Sequence, residues 1–183
     1  MANNTANVAA GKPKTTGAIY HAPVNSTLPT DASTALDAAF KGLGYVTEDG
    51  LTQTISKTVE NIKAWGGDTI LTAQTEFTET FQFALAEPLS DEVQKVVFGS
   101  SNVSGALGTG LTTIVNSAEL SEEAWVIEMV MHGAATRIVI PNGKVTEIGD
   151  ITYQDGDVVA YQLTITALPD ASGNCSYQYM LKA

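Results

Sequence analysis

Cysteine and histidine are nearly missing from this chain: Cys175 stands alone, and His21 and His132 are the only histidines among 183 residues. An internal disulfide is therefore excluded, and so is a cysteine-rich zinc site, which leaves packing or assembly as the source of stability. Positive charge is also scarce. Nine Lys and Arg face twenty Asp and Glu, for a net charge of −11, so the long-range field repels nucleic acid backbones and anionic lipid surfaces. Long apolar runs are absent too, with nothing approaching the roughly 18 residues of a membrane span. The first residues lack the basic-then-apolar order of a secretory signal, and a cytoplasm-like site of synthesis is expected.

Catalytic patterns are equally thin. His21 reads as a loop residue after an early strand and His132 as a strand-end residue before Gly133; neither lies in a nucleophile context. The glycines of 104–110 (SGALGTG) lack the Gly-Lys-Ser/Thr of a phosphate loop and read as a flexible surface loop between helix and strand. Asp150, Asp155 and Asp157 bracket a turn without the spacing of a calcium loop. Glu122 with Glu123, or Glu76 with Glu79, could serve as acid and base, yet carboxylates on strands are usually solvated. No enzyme, cofactor or metal is expected.

What the chain does have is alternation. At 44% hydrophobic and 16% charged residues it is a foldable globular sequence of single-domain length. Residues 1–15 are small and polar and read as a flexible arm before a single β domain over 16–183. Another loose stretch, 23–31, precedes a two-turn helix expected over 32–40 with Asp31 as its cap. Three hairpins are expected: 44–47 with 51–54 across Glu48-Asp49-Gly50, 138–140 with 145–148 across Pro141-Asn142-Gly143, and 151–153 with 158 onward across Gln154-Asp155-Gly156. Period-two patterning marks further strands over 77–85, where Glu79 interrupts the apolar face, and at Trp125 to Met131, Val159 to Ala167 and Tyr177 to Leu181. One helix is expected with Ser90 as its cap, Asp91 and Glu92 at its positive end, an apolar stripe of Val93, Val96 and Val97, and Gly99 as its stop. The predicted fold is mainly β: an antiparallel β-sandwich or open barrel with one packed α-helix.

Five segments in order carry a resemblance: 40–50 (FKGLGYVTEDG), 62–68 (IKAWGGD), 75–85 (TEFTETFQFAL), 92–103 (EVQKVVFGSSNV) and 137–150 (RIVIPNGKVTEIGD). Along nearly the whole chain it resembles the major tail tube proteins of long-tailed siphophages, particularly those of actinobacteria. The resemblance implies a structural virion protein, assembled in the host cytoplasm into hexameric rings that stack as the tail tube. Each subunit would contribute strands to a continuous inner barrel through which DNA passes without specific binding. A tape measure protein, a tail terminator and baseplate or tip proteins are the implied partners. Trp65, Asp68, Tyr45 and Val8 are the expected inter-subunit contacts, and Glu76, Glu79 and Glu128 the expected lumen acids. Residues 51–68 are expected to be loops that order when rings stack. Another β-rich virion or secretion-tube subunit, or a carbohydrate-binding domain, is the alternative.

Overall fold

A computed structural model describes residues 3–182. In chain order its strands are β1 (Gly11–Pro13), β2 (Ile19–Pro23), β3 (Lys41–Gly42), β4 (Val46–Lys63), β5 (Thr69–Leu85), β6 (Val103–Ala106), β7 (Gly110–Thr113), β8 (Glu123–Met131), β9 (Ala134–Ile148), β10 (Tyr161–Ala167) and β11 (Tyr177–Lys182); helix α1 spans Asp91–Phe98. The main sheet is antiparallel and runs β3-β2-β8-β9-β10-β5-β4, with β1 added to β8 and β11 added to β9. Mainly β, antiparallel and with one helix, it is the expected fold class.

The sheet curves around one core. Phe81, Phe83 and Leu85 of β5, Trp125 and Ile127 of β8, Ile138 and Ile140 of β9, and Leu163 and Ile165 of β10 share its concave side. Val93, Val96 and Val97 of α1 fill the middle, and Gly99, at φ +92°, ends the helix in a conformation that side chains resist. A helix this short is marginal alone, so burial of its valine stripe holds it.

Trp125 is 1% exposed and its Nε1 donates to the Gly143 carbonyl at 3.2 Å. A β-carbon on Gly143 would lie 2.8 Å from the indole and 2.9 Å from Ile165. Gly143→Ala is therefore expected to lower stability by about 1–3 kcal/mol through overpacking, as read from urea denaturation.

Opposite the core, residues 24–40 form a strap over the convex side of β8 and β9, where Phe40 packs with Ala124, Val126 and Val139. This second buried layer changes several sequence expectations. The helix over 32–40 is replaced by bends and turns. Asp31 still caps, accepting from the Ser33 and Thr34 amides at 2.6 Å each, but it caps a turn. Asn142-Gly143 does not turn, because β9 continues through it, with a register shift against β8 between Ile140 and Gly143, and is buried on both sides around Ile140 and Pro141. Glu48-Asp49-Gly50 likewise stays inside β4, where a register shift between Val46 and Leu51 absorbs the extra residues. Of the third expected hairpin only the turn at 155–157 forms. The glycine-rich 104–110 segment belongs to the β6–β7 hairpin rather than to a structureless loop. Within the expected arm, Gly11–Pro13 pair with Met131, Val130 and Met129 while staying exposed; Met1 lies outside the described residues.

Candidate assembly surface

Strands β4 and β5 outgrow the core. From Thr52 to Lys63, and back from Thr69 to Thr78, nearly every residue is solvent-exposed, although the two strands stay paired, with register shifts after Thr58 and after Ile62. At about 3.3 Å per residue the projecting blade is about 40 Å long. The expected loops of 51–68 are thus mostly strand, kept extended by a high density of β-branched residues: Thr52, Thr54, Ile55, Thr58, Val59 and Ile62.

Its tip is a tight turn in which the Ala64 amide donates to the Asp68 carbonyl at 2.7 Å and the Gly67 amide to the Ala64 carbonyl at 3.0 Å. Trp65 stands fully exposed on this turn, with Ile62, Ile70 and Leu71 exposed close by. Tyr45 and Val8, at 79% and 71% exposure, lie on other parts of the surface. Tyr45 borders a cleft of about 840 Å³ between the 11–19 segment and the start of β4.

The two sides of the blade differ in chemistry. One continues the core face, pairing Ile55 with Glu79 and Lys57 with Phe77, whose ring lies 5.9 Å from the Lys57 ammonium. The other pairs Thr52 with Gln82, Thr54 with Thr80, Ser56 with Thr78 and Thr58 with Glu76. That polar side extends across β10 through Gln162, Thr164 and Thr166.

Two edges of this part of the sheet are open. Among the described residues, β4 has a strand only on its β5 side. On β9, pairing with β8 stops at Glu123 opposite Gly143, whereas pairing with β10 continues to Ile148. Residues 144–148 therefore carry unpaired backbone groups on one side, among the described residues. Unpaired edges are templates for further strands.

The acids proposed for a lumen divide. Glu76 is on the surface, accepting from the Thr58 hydroxyl at 3.2 Å. Glu79 and Glu128 are each 4% exposed in the single chain. Glu79 accepts from Gln53 at 2.6 Å and from Ser176 at 2.9 Å. Glu128 pairs with Lys14 at 2.9 Å and with the buried Arg137 at 3.0 Å through Nε. Alternation placed Glu79 on the core side, and Glu128 lies beneath the strap, which sequence patterning did not reveal.

Sequence reasoning also missed His21. It sits in β2, 7% exposed, with Nδ1 2.7 Å from a Glu123 carboxylate oxygen and its ring 5.9 Å from Trp125. Hydrogen bonds from the Thr34 hydroxyl and the Thr34 and Ser33 amides hold the Asp31 carboxyl far below the ordinary carboxylate range. A lowered folded value means that the ionised cap stabilises fully above the unfolded value of about 3.9. The benefit is lost only as pH falls through the lower, folded value. The melting-temperature gap between the native chain and Asp31→Asn should therefore stay constant down to about pH 4 and shrink in stronger acid.

A β core with an uncovered apolar blade and two open sheet edges defines a class, that of a subunit finished by other polypeptides. The family model described as Phage tail tube protein matches residues 1–183, and the chain belongs to that family. It is a structural protein of the phage tail. No curated protein is significantly similar to the chain.

Proposed function

We propose that copies of this chain close into hexameric rings by joining the open edge of β4 to residues 144–148 of β9 in the next copy, and that the rings stack into the conduit for genome ejection of a siphophage tail. The carrying observation is directional. Strands β4, β5, β10 and β9 alternate in direction, so the two open edges run oppositely and a neighbour's β4 continues the antiparallel order. An edge that joins a different edge is a head-to-tail contact, which forms a ring when the rotation closes. Trp65, Asp68, Tyr45 and Val8 are the proposed contacts between subunits or rings, and Trp65 is the anchor because a wholly exposed tryptophan gains most from being covered. Tape measure, terminator and baseplate or tip proteins complete the proposed set of partners, with assembly in the host cytoplasm.

Negative-stain images of concentrated protein should contain rings or tubes with a central hole. Compact trimers, or monomers at every concentration, would overturn the reading. Trp65→Ala is expected to shift the sedimentation profile toward free subunits while leaving the unfolding free energy within about 0.5 kcal/mol; equal losses in both would make Trp65 an ordinary folding residue.

A further inference from the structure

We infer that His21 and Glu92 bind a divalent cation that favours imidazole, such as zinc, and that the bound ion clips helix α1 to strands β2 and β8. The inference does not depend on the tube reading. His21 lies in β2, 7% exposed, and its two ring nitrogens are in different states. Nδ1 is 2.7 Å from a carboxylate oxygen of Glu123, at the start of β8. Nε2 is buried and has no hydrogen-bond partner among the described residues. It faces a second carboxylate oxygen, Oε2 of Glu92 in the first turn of α1, at 3.7 Å.

A buried nitrogen left without a partner is costly, and its surroundings here are those of a metal ligand. An ionised carboxylate only accepts, so Nδ1 donates to Glu123. That bond leaves the Nε2 lone pair of the neutral ring pointing away, which is how carboxylate, histidine and zinc are joined in protein metal centres. The gap to Glu92 is too long for a hydrogen bond, whose N···O distance is about 2.7–3.2 Å. It is close to the separation of two donors on one tetrahedral ion, about 3.3 Å for bonds of about 2.0–2.1 Å. Glu92 can close the difference, because its side chain is partly exposed and Lys95 holds only its other oxygen, donating to Oε1 at 2.8 Å. An imidazole beside a carboxylate suits zinc, copper or nickel, whereas magnesium and calcium take oxygen donors. No three His, Cys, Asp or Glu side chains converge as ligands among the described residues, so water completes the coordination and the ion is exchangeable. Its effect falls on α1, a short helix held by its valine stripe; an ion between Glu92 and His21 ties the first turn of that helix to the sheet. The two ligands come from separate elements, and no spacing in the sequence announces them.

The test uses dilute subunits of the full chain, stripped with EDTA and then given zinc chloride or magnesium chloride alone. Excess zinc should raise the melting temperature by about 5 °C, and magnesium should leave it unchanged. Glu92→Gln should melt within about 2 °C of the native chain in EDTA and lose the response to zinc. In NMR spectra of the imidazole nitrogens, zinc should move the His21 Nε2 signal while Nδ1 keeps its proton; the exposed His132 is the internal control. A zinc shift of equal size in Glu92→Gln would overturn the site, as would a zinc response confined to His132 or an equal response to magnesium.

Discussion

Replacing Arg137 by Met should cost about 3–5 kcal/mol of folding stability, the penalty for leaving a buried charge without its partner. Arg137 is 1% exposed and ties three parts of the chain together. It binds Glu128 on the neighbouring strand through Nε and Nη2, and it donates to the backbone carbonyls of Asp31 at 2.7 Å and Thr34 at 2.9 Å. Lys14 reaches Glu128 from the half-exposed side and cannot replace the bonds to the strap. The double variant Arg137→Met with Glu128→Leu should recover much of the loss, because a buried pair replaced whole leaves no unpaired charge. Urea denaturation of dilute subunits measures both. A loss below about 1 kcal/mol for the single variant would show that the pair is solvated in practice.

Shortening the blade should have the reverse profile. Val59 and Gln74 are paired across β4 and β5, so replacing residues 60–73 with Asn-Gly joins them by a two-residue hairpin turn. The removed residues are exposed or half-buried and contribute no member of either buried cluster. Stability should change by no more than about 1 kcal/mol, while sedimentation and electron microscopy should find assembly abolished. Tubes of native length from this variant would mean that the blade has no part in joining subunits.

Elements whose side chains settle their own conformation were legible in the sequence. Helix α1 was announced by its first-turn acids, its valine stripe and Gly99, all of which act within a few residues, although Ser90 makes no side-chain capping bond. Strands β5, β8, β10 and β11 were announced by period two. The misreadings occurred where a distant contact outweighs a local preference. Asn142-Gly143 has the form of a turn signal, yet glycine is required there because Trp125 lies against it. Residues 32–40 have helix-forming composition, but lying across β8 and β9 lets Phe40 and Leu36 join an apolar layer. The assembly candidates were legible to different degrees: the glycines beside Trp65 marked an exposed turn, whereas the burial of Glu79 and Glu128 depends on residues brought in from Ser176 and Arg137.

From its sequence alone the chain was committed to antiparallel strands, one short amphipathic helix and a structural role without disulfides, because side-chain periodicity and composition act locally or additively. Tertiary structure alone decided that β4 and β5 project as a blade, that the strap buries Arg137, and that one sheet face is polar from β4 to β9. Each of these depends on register between strands far apart in the chain, and a shift of one residue would turn every side chain to the opposite face.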